Sequence, residues 1–431
     1  MSKAAQKRLM DQADRAAASF AFFSPASEKD DRVAARMAAA GSLVRVCSRI
    51  YARPSDWEEL RPNVRHLWLA RAQQDRHPTW VFCGITAALI HGLSVSYSQI
   101  DRPMLAVGPH GHTERTETVQ RVETSTSDAV VVNGLKTTPF LQTVFDCMRW
   151  ISFEEGLVVA DSAIRTGLAE KGQLIDYVIS QDGGVKGISK AYVCALHADG
   201  RAENGGKLLA RAVMLELGFA CPELQVEIPN PVNPSHLYRL DFAWKLPNGQ
   251  LLGGEHDGFE KYTNEEMLSG GTTLDSLVAE RQRESRIASL GIRVLRFTAR
   301  QRSDREHMWR LLSAYGVPWV GVPQEISSPR AAAHMLAKAR QKRRDEQWIH
   351  ERIQSTCQMQ LGSYLVTVEV IQGPWHRRAS RRQANRAQAN GATVTAPLSD
   401  GADTATPPLS VATQTTGATQ LPVTAEKDLD T

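Results

Sequence analysis

The stretch YRLDFAWKLPNGQLLGGEHDGF, residues 238–259, decides the reading of this chain. Leu240, Phe242 and Trp244 alternate with Asp241, the two-residue period of a strand. Asn248-Gly249 is a hairpin-turn signal. The return strand places Glu255 and Asp257 two residues apart, on one face. Asp241 therefore converges with Glu255 and Asp257. Three packed carboxylates repel one another. A divalent cation relieves that repulsion, and oxygen ligands suit Mg²⁺ or Mn²⁺. Such an ion polarises a phosphodiester and activates water. The competing reading is a hairpin whose solvent face happens to be acidic. Leu251, Leu252 and Phe242 favour a buried hairpin instead.

The flanks fit an α/β domain over residues 201–320. RAENGGKLLARAVMLELGF (201–219) is an amphipathic helix, with Glu203 at its entrance and Gly218 at its end. ELQVEIP (223–229) is a strand. A charged helix runs from about Leu274 to Leu290, and IRVLRFT (292–298) is a last strand. The order is helix, strand, hairpin, helix, strand.

Towards the N-terminus, residues 1–20 read as an alanine-rich helix with too few apolar positions to fix a packing face, an arm. Asp30 to Ala40 is a second helix, ended by Gly41. GSLVRVCSRIYA (41–52) then alternates apolar residues with arginines. A helix followed by a basic hairpin is the order of a winged helix, in which Arg32, Arg36, Arg45 and Arg49 would face DNA. The plain alternative is a helix and edge hairpin of any α+β fold. Residues 1–75 are assigned to this arm and winged helix, and 76–170 to an α+β domain. Within it, 79–95 reads as a buried strand entering a helix, 103–125 as strands, and 137–166 as one helical stretch. His91 reads as a core histidine and His110-Gly111-His112 as a polar turn. Residues 171–200 read as a helical connector, and 321–375 as a basic helix and terminal strand. Over 328–355 seven Arg/Lys stand against three acids, either a solvated face or a phosphate-contacting one. From 376 to 431 arginines give way to a Thr/Ala/Pro-rich tract, expected to be a disordered tail that folding does not require.

Composition bounds the function. The chain has 431 residues, 42% hydrophobic and 23% charged, which suits several globular domains. Its net charge of +4 excludes a uniformly polycationic coat but not a local basic face. Neither a transmembrane run nor a secretory leader is read, so the cytoplasm is the expected location and no membrane partner is expected. The six cysteines form no C-x-x-C pair, so no disulfide framework or zinc ribbon is indicated. A phosphate loop of the G-x-x-x-x-G-K-[ST] type is absent, and ATP hydrolysis is not supported.

The runs RAENGG, RLDFAW, GGEHDGFEKY and ERQRESRIASLGIRVLRFT together resemble the PD-(D/E)XK nuclease superfamily, in its branch similar to very-short-patch-repair (Vsr-like) endonucleases. The resemblance spans about 100 residues. It implies a restriction-endonuclease-like α/β core and metal-dependent DNA cleavage, with Glu203, Asp241, Glu255 and Asp257 as its acidic residues. The signature lysine is absent. Asp257 occupies its position, Lys261 lies four residues on, and Gly253-Gly254 stand where β-branched residues are usual. In the N-terminal half, GSLVRVCSRIYA, VFCGITAALIHGL (81–93) and LKTTPFLQTVFDCMRWISFEEGLVVADSAIRTG (135–167) look like AbiEi antitoxin-like regulators. That resemblance implies a promoter-binding winged helix and a cognate toxin as a partner. Three classes follow: a metal-dependent endonuclease, a non-catalytic regulator or antitoxin with an inert nuclease-like domain, and an interaction module without nucleic acid. The oligomeric state is not read from the sequence.

Overall fold

The computed structural model describes residues 2–201, 205–257, 273–353, 357–361 and 364–368. It is a mixed α+β protein. Residues Met1–Glu346 form one compact unit and Gln347–Thr431 a second.

Helix α1 spans Lys3–Ala18 and α2 spans Glu28–Ala39. The Ser27 hydroxyl accepts the Asp30 amide, and Glu28, Asp30 and Asp31 sit in the first turn of α2, where they suit the helix dipole. Strands β1 (Val44–Cys47) and β2 (Ile50–Ala52) form an antiparallel hairpin, and Phe23 bridges to Tyr51. Residues 1–20 were expected as an arm, but α1 packs. Leu9 is fully buried in a core with Val33, Ala34, Met37, Leu43 and Tyr51. The small Ala13 lets α1 approach closely, so one large side chain is enough to fix its face.

Helices α3 (Pro54–Glu59) and α4 (Pro62–Arg76) follow the hairpin. Trp68 and Ala72 of α4 close a second small core with Phe22, Ile50 and Ala52. His66 is buried in α4, its Nε2 2.8 Å from the Thr86 hydroxyl. Burial holds its imidazole down to about 4, against the pull of Asp101. The unfolded chain therefore takes up this proton first. The stability that His66 contributes is complete above pH 6.5 and is lost as the pH falls towards 4. The loss amounts to roughly 3 kcal/mol. Thermal melts across that window should show the decline, and His66→Gln should flatten it; parallel curves for the two proteins would refute the assignment.

Within 79–95 the expected helix is α5 (Gly84–Ile90), and in place of the strand expected before it there are only isolated bridges at Phe82. Strands β3 (Met104–Val107) and β4 (Gln120–Glu123) pair in parallel, and β5 (Val130–Val132) and β6 (Leu135–Thr137) antiparallel. His91 lies at the C-cap of α5, its Nε2 2.9 Å from the Thr138 carbonyl, and is satisfied as expected. The stretch 137–166 is two helices, α6 (Phe140–Trp150) and α7 (Phe153–Arg165). Ser152 causes the break: its hydroxyl accepts the Glu155 amide and starts α7 afresh. The stretch 171–200, expected as a helical connector, holds helices α8 (Lys171–Ser180) and α9 (Ile188–His197). The α9 residues Ile188, Ala191, Val193, Cys194 and Ala195 belong to the largest core, with Val144, Leu157 and Ala160. A polar average over 171–200 hid one apolar helix.

Helix α10 (Gly205–Glu216) is buried on every side over Ala210–Leu215. Ala212 and Leu215 enter the core of α6–α9, whereas Leu208, Val213 and Met214 enter that of the sheet that follows. The expected boundary at residue 200 thus lies between elements that share a core. Strands β7 (Glu223–Pro229), β8 (Leu237–Lys245) and β9 (Leu251–Asp257) are antiparallel neighbours. Helix α11 (Thr273–Ser289) then crosses over, and β10 (Arg293–Thr298) lies parallel to β9. The sheet order is β10-β9-β8-β7. Gly249, with φ +83°, makes the β8–β9 turn. The Gly253-Gly254 departure has a packing cause. A Cβ on Gly253 would lie 3.1 Å from the Leu240 methyls, and one on Gly254 3.0 Å from the Trp244 ring. Helices α12 (Ala299–Ser303), α13 (Arg305–Tyr315) and α14 (Gln324–Ser327) lead into α15, Pro329–Ile353. Arg340 and Arg343 of α15 bind the end of α8, at the Ile179 and Gln181 carbonyls and at Asp176. Lys338, Lys342 and Arg344 are exposed.

In the second unit β11 (Cys357–Leu361) and β12 (Tyr364–Val368) form an antiparallel hairpin. The tail expected over 376–431 lies outside the described residues.

Candidate active site and basic surface

The ladder between β8 and β9 ends at Phe242 opposite Gly254, which leaves Asp241 beside Glu255 where the two central strands part. The Asp241 Oδ2 accepts the freed His256 amide at 3.1 Å. Both carboxylates are buried. Burial raises the Glu255 carboxyl, and the negative charge of Asp241 adds to the rise. The structure therefore brings these two predicted residues together.

Each carboxylate also has a cation that the sequence reading did not assign. Lys207 of α10 places its Nζ 2.5 Å from Asp241 Oδ1. Arg283 of α11 donates to Glu255 at 2.8 Å. Arg296 of β10 grips Asp257 through two hydrogen bonds, of 3.0 and 2.5 Å. Arg296 also meets Glu280 and Glu284, and Arg283 meets Glu280. Two unit charges 4 Å apart exchange about 4 kcal/mol at an effective dielectric near 20. The repulsion expected among the three carboxylates is thus offset by protein cations. Only tertiary packing brings these partners in, so no local pattern announces them.

His256 points to the other face of β9. Its ring packs on Phe297, and its Nε2 lies 3.4 Å from an Arg302 nitrogen. Burial and the Arg302 charge hold its imidazole down to about 4, so it is neutral at pH 7. A Cβ on Gly206 would come within 2.7 Å of this ring, which explains the glycine at the start of α10.

Mg²⁺ binds through one or two carboxylates plus waters and substrate phosphates. Asp241 and Glu255 are hard oxygen donors of that kind and fit such an ion, in competition with Lys207 and Arg283. Asp257 fits less well, because Arg296 engages both of its oxygens. Among the described residues no group of three or more His, Cys, Asp or Glu is arranged to hold a metal. Glu203 and Lys261 lie outside the described residues.

Near the N-terminus, Arg32 and Arg36 are exposed one turn apart on α2, and Arg45 is exposed on β1. The Arg32 contact with Glu28, at 4.0 Å between two exposed side chains, adds little. Arg49 differs: it is half-buried in the hairpin turn, with φ +60° and its carbonyl bonded by Arg76. His110 and His112 lie in a turn region with exposed side chains or nearly so.

No protein-family model matches the chain. Uncharacterized proteins from two strains of Mycobacterium tuberculosis are each 30% identical to it over 129 residues. The match covers 30% of this chain and 45% of each relative, so the chain spans less than half the length of the curated relatives it matches. Among the described residues no helix is long and apolar enough to cross a membrane.

Proposed function

We propose that this chain is a cytoplasmic DNA-binding protein whose α/β part is a restriction-endonuclease-like, Vsr-like domain that cleaves phosphodiesters with Mg²⁺ or Mn²⁺. The observation that carries this reading is Asp241 beside Glu255, both buried where the two central strands part. Support comes from the order of elements: a helix, three antiparallel strands, a crossover helix and a parallel fourth strand. When bound, the ion would polarise the phosphodiester. Asp241 and Glu255 would hold it, and Lys207 would keep a positive charge against Asp241.

A second reading, an AbiEi-like regulator or antitoxin with an inert nuclease-like domain and a toxin partner, is favoured by a different observation. Lys207, Arg283 and Arg296 already neutralise the acidic residues, and Asp257 stands in place of the signature lysine.

Both readings place duplex DNA on α2 and the β1–β2 hairpin, as a winged helix would. Arg36 and Arg45 are exposed, so their loss should leave the fold intact. Arg36→Ala with Arg45→Ala should weaken duplex binding by about tenfold or more at low salt. The slope of log K against log salt should fall by about two. Equal affinity and slope in the double variant would remove the winged-helix assignment.

A further inference from the structure

Three arginines from three separate elements converge on one cleft of ≈ 580 Å³ in the N-terminal part. Arg15 comes from α1, Arg49 from the β1–β2 turn and Arg76 from the end of α4. His77 and Ser24 also line the cleft, and Asp75 is the one carboxylate among the lining residues. Among the described residues no carboxylate stands within ion-pair distance of Arg15, Arg49 or Arg76, Asp75 included. Elsewhere arginines near this region do find acids, as Arg8 does with Asp30 and Arg53 with Asp14 and Asp56.

The cleft is also built in advance. Arg76 Nη1 donates to Ser24 Oγ at 3.0 Å and to the Arg49 carbonyl at 3.2 Å, which fixes its guanidinium. Arg49 is held in the left-handed region, with φ +60°. Its Nε is buried and has no hydrogen-bond partner among the described residues. That nitrogen is turned away from the open cleft, so it is the terminal guanidinium nitrogens of Arg49 that are left for a ligand. The His77 ring is stacked on Trp80, with centroids 3.9 Å apart. Burial and then the charges of Arg76 and Arg121 lower its imidazole.

We propose that this cleft binds a small phosphate-bearing anion, of the size of a diphosphate or a nucleotide. Guanidinium forks match phosphate oxygens two at a time, and a concave space of this volume suits a small ligand. A DNA backbone would need an open stripe of cations. Here the cations come from three separate elements and line one open cleft.

The test uses the full chain and inorganic pyrophosphate, followed by calorimetry at low ionic strength with chloride-matched controls. The expected result is one saturable site that chloride does not reproduce. The Arg15 side chain is exposed and makes no hydrogen bond or ion pair among the described residues, so Arg15→Glu should melt as the wild type does. It should nevertheless bind pyrophosphate at least about tenfold more weakly, and Arg15→Lys should restore most of the affinity. Absence of a saturable site in the wild type overturns the proposal, as does equal affinity in Arg15→Glu. If Arg15→Glu instead weakens duplex binding and pyrophosphate does not compete with the duplex, the cleft holds a DNA backbone and the small-anion proposal falls.

Discussion

Asp161→Ala is expected to destabilise the protein by about 3–5 kcal/mol, the usual cost of stranding one member of a buried ion pair. Asp161 of α7 and Arg211 of α10 are almost wholly buried and joined by two hydrogen bonds of 2.8 and 2.6 Å. Asp161 also accepts the Asp199 amide at 2.6 Å, and Arg211 donates to the His197 carbonyl at 2.8 Å. The pair therefore ties α7, the end of α9 and α10 together, and α10 carries the sheet. Burial pushes the Asp161 carboxyl up to about 6 while Arg211 pulls it down, so it remains ionised at neutral pH. With alanine at 161 the Arg211 charge stays buried with no counterion. Arg211→Met should be milder than Asp161→Ala, because an uncharged aspartic acid can exist in the interior and a guanidinium cannot lose its proton. Denaturant unfolding measures both. A loss below about 1 kcal/mol for Asp161→Ala would show that the pair does not hold these helices together.

Lys207→Met should separate two quantities that a structural defect would lower together. Lys207 competes with any cation for Asp241, so its removal should tighten Mn²⁺ binding several-fold, an effect of about 1 kcal/mol. If Lys207 positions the site for phosphodiester cleavage, the same variant should cleave about 100-fold more slowly, the size of effect that follows loss of one transition-state hydrogen-bond donor. Lys207→Arg should recover part of the rate by restoring the charge. Calorimetry and plasmid cleavage on the same preparations decide the matter, with Asp241→Asn as the variant that should bind metal poorly and cleave least. Weaker Mn²⁺ binding in Lys207→Met would mean that the lysine only shores up the fold. Unchanged cleavage would remove it from the site.

Much of the sheet was legible because its signals are local. The alternation of Leu240, Phe242 and Trp244, the Asn248-Gly249 turn and Gly291 after α11 each report on their nearest neighbours, and all are found as expected. The approach of Asp241 to Glu255 follows from hairpin register, which is also local. The partners of those carboxylates were not legible. Lys207, Arg283 and Arg296 come from three elements whose placement depends on the whole sheet. The same holds for Leu9. Its helix is polar on average, and only the packing of α1 on α2 shows that one leucine is enough. The break between α6 and α7 was within reach, because Ser152 followed by Glu154 and Glu155 is a helix start. The continuous apolar pattern on both sides concealed it.

The most direct test of the proposed activity is incubation of the full chain with supercoiled plasmid in Mg²⁺ or Mn²⁺, beside Asp241→Asn and a chelator control. Nicked and linear products that require the metal and disappear in the variant are expected. Plasmid that stays supercoiled with either ion, while the protein binds the same DNA, would contradict the proposed activity and leave the inert, regulator-like reading in its place.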